Sequence, residues 1–132
     1  MQPFERLRVW QRAHELAVEL HRRADTFPPA QRLALTDQLR RSSASIGANI
    51  AEGSMAMHPR EFVRLLNIAE REAAETASHL ALARDLGCLQ PGEAERLLAD
   101  LTRLRRMLNR LRQRVDDDTR RPEAKRQPHR PA

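Results

Sequence analysis

Hydrophobic residues recur along this chain at steps of three and four, the spacing of one face of an α-helix. The pattern runs through four stretches, at about residues 5–26, 30–54, 59–86 and 91–115. Short segments containing proline or glycine separate these stretches. Four amphipathic helices with short connections predict an all-α fold, an antiparallel up-down-up-down four-helix bundle.

Each predicted helix carries one apolar stripe that we expect to face a shared core. The stripe of the fourth helix is the most regular, because leucine dominates it. The predicted core positions are Trp10, Ala13, Ala17, Leu20, Ala24 and Phe27 in the first helix; Leu35, Leu39, Ser42, Ile46, Asn49 or Ile50, and Gly53 in the second; Phe62, Leu65 or Leu66, Ala69, Ala73, Thr76, Leu80 and Ala83 in the third; Ala94, Leu97, Leu101, Leu104, Leu108, Leu111 and Val115 in the fourth.

The chain changes character after Val115. Residues 116–132 show no hydrophobic period and contain three prolines. Proline and a high density of charge oppose the burial that folding requires. We therefore predict a four-helix bundle over residues 1–115 and a disordered basic tail over residues 116–132.

The second predicted helix is polar where its neighbours are apolar. Serines, Gly47 and Asn49 are poor helix formers, and glycine costs about 1 kcal/mol relative to alanine. Five polar residues fall on one side of this helix, and they are Gln38, Ser42, Ser45, Asn49 and Glu52. Buried polar groups need hydrogen-bond partners, so such a stripe can fix helix register or subunit geometry. A binding role for the same stripe remains the alternative.

Charge is unevenly distributed along the chain. The net charge is +6, and residues 101–132 alone hold ten arginines, one lysine and four acidic residues. A basic segment of this kind suggests a polyanionic partner, nucleic acid first. The strong preference for arginine over lysine is also what a GC-rich genome produces without selection for phosphate binding.

The arginines of the fourth helix form a candidate binding stripe. Arg103, Arg106, Arg110 and Arg114 step by three and four, roughly opposite the leucines. No acidic residue lies between positions 101 and 115. Arginine offers a planar fork of donors to phosphate, and the absence of aromatic residues on this helix predicts contact with the backbone rather than the bases. An acidic protein patch or a merely solvated face are the alternatives.

The motifs of catalysis and cofactor binding are absent from the sequence. None of the histidines follows a glutamate at the Glu-x-x-His spacing of di-iron bundles, and no P-loop or G-x-S-x-G element occurs. His14 and His21 share a helical face, which we interpret as solvated. We therefore expect no enzymatic activity, no cofactor and no metal. Cys88 is the single cysteine, and no segment has the apolar length of a membrane span or a secretory signal, which predicts a cytoplasmic protein without a membrane partner.

Three parts of the chain together resemble a known family. They are residues 7–13, residues 38–53, and residues 61–69 leading to residues 82–87. The most specific element is Ser-Ile-x-x-Asn-Ile-Ala-Glu-Gly at residues 45–53. These segments resemble the four-helix-bundle proteins encoded by intervening sequences in bacterial large-subunit ribosomal RNA genes.

The resemblance implies a four-helix bundle that assembles into a homopentameric barrel. It also implies kinship with the accessory variability proteins of diversity-generating retroelements, which engage a reverse transcriptase and nucleic acid. Together with the arginine stripe, it leads us to expect a non-catalytic homo-oligomeric scaffold that binds RNA or DNA. The alternative is a protein-interaction adaptor, for example an accessory subunit of a reverse transcriptase, with no direct nucleic-acid role.

Overall fold

The computed structural model of the chain describes residues 3–121, and this part contains helices and no strand. The long helices are α1 at Arg8–Ala24, α2 at Asp37–Ser54, α3 at Pro59–Asp85 and α4 at Pro91–Arg120. A 3-10 turn at Pro3–Arg6 precedes α1, and a second one at Pro29–Gln31 follows it. The predicted all-α class with four helices is confirmed.

Proline and glycine set the helix ends as their chemistry requires. Pro59 and Pro91 stand in the first turns of α3 and α4, where the missing N–H would have no partner in the helix anyway. Gly87 follows α3 with a φ of 80°, a conformation that costs little only in glycine. The bounds of α3 agree with the prediction to within a residue.

The start of α2 differs from the periodicity-based prediction. Regular α-helix begins at Asp37 rather than near residue 30, because a π-helical turn at Arg32–Thr36 comes first. The wider turn changes the angle between successive side chains. Leu35 and Thr36 of this turn are both buried.

The fourth helix is longer than its apolar stripe. It continues past Val115 to Arg120. Arg120 forms an ion pair with Asp116 at 3.2 Å, and the Thr119 hydroxyl donates to the Asp116 carbonyl oxygen at 2.6 Å. Local polar contacts thus extend the helix where hydrophobic spacing gives no signal. The remainder of the predicted tail, residues 122–132, lies outside the described residues.

The core confirms the predicted stripes of α3 and α4 and most of that of the first helix, where Ala13, Leu20 and Ala24 are buried as predicted. Every predicted leucine of α4 is buried. In α1, however, Val9 and Leu16 are buried, whereas Trp10 and Ala17 are half-buried. The sequence alone did not show that the inward face includes Val9 and Leu16. This leaves Trp10 and Ala17 at the edge of the core.

Contacts between helices place all four around this core. Thr76 of α3 lies against Ser42 of α2, and further along the same pair of helices Phe62 packs on Gly53. A Cβ atom at position 53 would lie 2.6 Å from Phe62 Cδ1, so only glycine admits the ring. An ion pair between Glu19 and Arg96 connects α1 with α4.

Candidate nucleic-acid interface

The outer surface of α4 presents the predicted arginine stripe to solvent. Arg103, Arg106, Arg110 and Arg114 are all exposed, while the leucines of the same helix are buried. The four side chains therefore lie on the face that the spacing predicted. Their availability depends on which acidic groups lie nearby.

Only the first member of the stripe has an acidic partner. Arg103 donates to the carboxylate of Asp100, which stands one turn earlier in α4. Within residues 3–121, Arg106, Arg110 and Arg114 form no ion pair. The structure thus brings together the four predicted residues as a stripe, of which the last three are unpaired.

Two further arginines, Arg105 and Arg112, lie in the acid-free window at residues 101–115, and their surroundings differ. Arg112 points to α3, where its Nε donates to Glu70 Oε2 at 2.7 Å. Both of these side chains are about three-quarters shielded from solvent, with exposed fractions of 24% and 22%. Arg105 is exposed and has no ion pair among the described residues. The acid-free window of the sequence therefore contains one arginine whose acid comes from another helix.

The N-terminal half of α4 carries a ladder of ion pairs with α1. Arg96 binds both Glu19 and Asp100, the latter at 3.4 Å. Arg23 joins the ladder through Glu93 at 2.5 Å and Glu19 at 3.5 Å. The hydrogen bond from Arg96 is the largest cause that lowers the pKa of Glu19, and partial burial opposes it. The arginines Arg23 and Arg96 in this part of the surface are therefore paired with carboxylates of the same chain.

A groove between α1 and α4 adds cations that sequence spacing missed. It has a volume of about 560 Å³. Four arginines line it together with three acidic residues, and these seven are Arg8, Arg12, Arg96, Arg103, Glu15, Glu19 and Asp100. Arg12 lies 3.6 Å from Glu15, whereas Arg8 is exposed and without an ion pair among the described residues. Arg8 is far from Arg103 in sequence, so only helix packing places them along one groove.

The predicted polar stripe of α2 divides into parts with different surroundings. Ser42 is buried, and its hydroxyl accepts from Thr76 Oγ1 of α3 at 2.8 Å. Thr76 also lies 2.8 Å from the Glu72 carbonyl oxygen. This pair of hydroxyls links α2 to α3 inside the core. The Thr76 position was predicted as core, but its role as the partner of Ser42 was not.

The rest of the stripe lies nearer the surface. Asn49 Nδ2 donates to the Ser45 carbonyl oxygen at 2.8 Å and to Ser45 Oγ at 3.1 Å, and both residues are half-buried. Gln38 and Glu52 are exposed. Among the described residues, no buried side-chain nitrogen or oxygen lacks a hydrogen-bond partner. The buried polar groups of α2 are therefore satisfied within one copy of the chain.

Three further features of residues 3–121 concern metal binding, thiol reactivity and membrane crossing. This part holds no group of three or more His, Cys, Asp or Glu side chains arranged to hold a metal ion. Burial raises the pKa of the Cys88 thiol, which disfavours the reactive thiolate form. None of the described helices combines the length and the apolar character that crossing a membrane requires.

Comparison with known proteins decides the family. Residues 5–110 match the 23S rRNA-intervening sequence protein family. The chain belongs to this family. It is also similar to the 1.70 Å crystal structure of a protein with unknown function from the S23 ribosomal protein family of Bacteroides thetaiotaomicron VPI-5482. The two chains are 29% identical with a TM-score of 0.74, over 80% of this chain and 95% of the other.

No curated protein matches the chain. The resemblance carried by residues 45–53 and the other segments is confirmed by the family match. Membership identifies a helical family and assigns no catalytic role to any residue.

Proposed function

We propose that this protein is a non-catalytic, homo-oligomeric helical scaffold that binds the backbone of RNA or DNA. The observation that carries the proposal is the row of Arg106, Arg110 and Arg114 in the C-terminal half of α4, which form no ion pair among the described residues. Like charges three or four residues apart repel one another along a helix. Phosphates are the partners that relieve this repulsion with the best geometry for a guanidinium fork.

The spacing of the row suits a phosphate backbone. At about 1.5 Å per residue, Arg106 and Arg114 stand about 12 Å apart along the helix axis. Each strand of a duplex carries one phosphate per about 3.4 Å of its axis, so the row spans several phosphates. The described part of α4 contains no aromatic side chain that could stack on a base. Binding of this kind follows backbone and shape more than sequence.

Each copy is proposed to be an antiparallel up-down-up-down four-helix bundle. The contacts support it, because Ser42 meets Thr76 while the later Gly53 meets the earlier Phe62. The ion pairs of α1 with α4 follow the same reversed order, Glu19 with Arg96 and Arg23 with Glu93. Assembly into a homopentamer is the arrangement that the family resemblance suggests, so we expect a mass near five copies in light scattering.

Fluorescence anisotropy with labelled RNA and DNA tests the binding. The informative variant is Arg106→Gln with Arg110→Gln and Arg114→Gln. Its matched control is Arg60→Gln with Arg64→Gln and Arg71→Gln, three exposed arginines of α3 with the same total charge change. We expect the α4 variant to lose at least about tenfold in affinity, and the slope of log affinity against log salt to shrink by about 2 to 3.

Two outcomes would overturn the proposal. Equal loss in both triple variants would show that net charge, rather than the α4 row, governs binding. If the wild-type protein binds neither RNA nor DNA at low salt, the arginine row does not bind nucleic acid. Its partner would then be an acidic surface of another protein. Reverse transcriptase would then be the first protein partner to test.

A further inference from the structure

A second groove opens between α1 and α2, away from the arginine row. Its volume is about 500 Å³, and its floor is made of small or aliphatic residues. They are Ala13, Ala17 and Val18 from α1, with Ala44, Gly47 and Ala48 from α2. Ala44 and Ala48 are exposed, so α2 turns an uncharged, small-residue face towards solvent here.

Gly47 is buried and faces Trp10 and Ala13 of α1 in the same copy. A Cβ atom at this position would lie 3.5 Å from Trp10 Nε1, an ordinary contact distance. Glycine inside a helix nevertheless costs about 1 kcal/mol relative to alanine. Gly53 is different, because Phe62 leaves no room there for a Cβ atom. Gly47 therefore belongs to the small-residue floor of the groove, although packing inside the copy does not require glycine there.

The rim of the groove is cationic. Arg22 lines it and is exposed, without an ion pair among the described residues. His14 and His21 also line the groove, with the His14 ring stacked on Trp10 at 4.7 Å between centroids. No acidic residue is among those that line the groove. An occupant with apolar side chains flanked by carboxylates would match both its floor and its rim.

A stripe on α3 has this composition. Glu72, Glu75, His79, Leu82 and Leu86 follow one another at steps of three and four, which places them on one face of the helix. Leu82 and Leu86 are 49% and 48% exposed, although leucine is normally buried. The Glu75 side chain is 53% exposed, and its carboxylate lies 3.4 Å from the His79 ring.

The stripe and the groove are similar in length. At about 1.5 Å per residue, the stripe from Glu72 to Leu86 extends about 21 Å, and the α1 side of the groove from Trp10 to Arg22 extends about 18 Å. Partial burial, followed by the charge of Glu75, raises the pKa of Glu72. Arg71 and His79 of α3 oppose this shift, and a cation at the rim of the groove would oppose it further.

We infer that the α3 stripe of one copy docks into the α1–α2 groove of a second copy. Leu82 and Leu86 cover the small-residue floor, while Glu72 and Glu75 face the cationic rim. The inference rests on the self-association included in the proposed function. Because stripe and groove are different surfaces, the contact is heterologous, and repeated use of it produces a ring if the rotation closes.

Complementation between two variants tests the contact. Ala48→Glu places a carboxylate in the groove, and Leu82→Glu places one on the stripe, both at exposed helical positions. Each variant alone should give a one-copy mass in light scattering under conditions where the wild type is oligomeric. Their mixture should give a two-copy mass, because each retains the half that the other has lost. Ala99→Glu, at an exposed position of α4, is the matched control and should keep the wild-type mass.

Several results would overturn the inference. Wild-type mass in both variants would exclude these surfaces from the assembly. One-copy masses that persist in the mixture, with unchanged helix content by circular dichroism, would exclude a stripe-to-groove contact. A wild type that is a single copy at all concentrations would overturn the self-association as well. Nucleic-acid binding by the α4 arginines is measured separately and stands or falls on its own assay.

Discussion

The two halves of α4 expose the same residue type and use it differently. In the N-terminal half, Arg96 and Arg103 share Asp100, and Arg96 also binds Glu19 of α1. In the C-terminal half, Arg106 and Arg110 have no acidic partner among the described residues. Arginine therefore ties α4 to α1 in one half and stays available to a ligand in the other. The number of arginines matters less than the acids placed around them.

The difference has a source in both sequence and packing. Glu93, Glu95 and Asp100 stand in the N-terminal half, whereas the C-terminal half reaches Val115 without an acid. Packing then adds Glu19 to the N-terminal half, and in the C-terminal half it brings Glu70 of α3 to Arg112. Surface ion pairs of this kind contribute about 1 kcal/mol at most, so removing them changes ligand binding more visibly than folding.

Adding acids to the unpaired half should have the largest effect. Asn109→Glu combined with Gln113→Glu supplies carboxylates at i+3 spacing from Arg106 and Arg110 while every arginine is kept. We expect nucleic-acid affinity to fall by about tenfold or more, since fewer counterions are released on binding. Anisotropy titrations over a salt series measure it, with Asn109→Gln plus Gln113→Asn as the uncharged control. Unchanged affinity would contradict a role for this half of α4.

Removing the acid of Arg112 should be the largest effect on stability. Glu70→Gln takes the charge from a pair that is mostly shielded from solvent. We expect the free energy of unfolding to drop by about 1 kcal/mol, because a charge-assisted hydrogen bond is lost. Urea denaturation checks this, with the exposed Glu95→Gln expected within about 0.5 kcal/mol of the wild type. An equal drop in the free energy of unfolding of Glu70→Gln and Glu95→Gln would show an effect of net charge, and would contradict a specific contribution of the Arg112–Glu70 pair.

The ion-pair ladder between α1 and α4 should make the free energy of unfolding depend on pH in the acid range. Arg96 lowers the pKa of Glu19, so Glu19 stabilises the fold at pH values above its ordinary pKa of about 4.3. This contribution is lost as the pH falls through the lowered pKa of the folded state. Glu19→Gln should therefore be less stable by about 0.5 kcal/mol at neutral pH and approach the wild type in acid. A stability difference that stays constant with pH would argue against the ladder.

Freeing an arginine in the paired half should have the smallest effect. Asp100→Asn leaves Arg103 without its partner, while Arg96 keeps Glu19. We expect nucleic-acid affinity to rise by about two- to threefold and the salt slope to grow by about 1. The same anisotropy assay measures it, and Asp85→Asn, an exposed change at the end of α3, is the charge-matched control. An equal rise in both would show only the effect of net charge.

Local rules carried most of the fold prediction. The leucines of α4 were predicted as core from their spacing alone, and all are buried. The third helix was predicted to end at about residue 86, and the positive φ of Gly87 shows why glycine follows it. The start of α2 and the burial of Val9 and Leu16 in place of Trp10 and Ala17 were not predictable in this way. A π-helical turn and the exact edge of a buried face depend on neighbouring helices.

The sequence by itself determined the four helices, most of the core and the arginine row, because helical spacing is a local property of the chain. Only the tertiary structure decided which arginines are free. Arg112 is held by Glu70 and Arg96 by Glu19, and these acids come from helices distant in sequence. The same is true of the groove that takes Arg8 from α1 and Arg103 from α4. The net charge around a surface residue and the shape of a groove depend on all the residues nearby. Helix packing decides which residues those are.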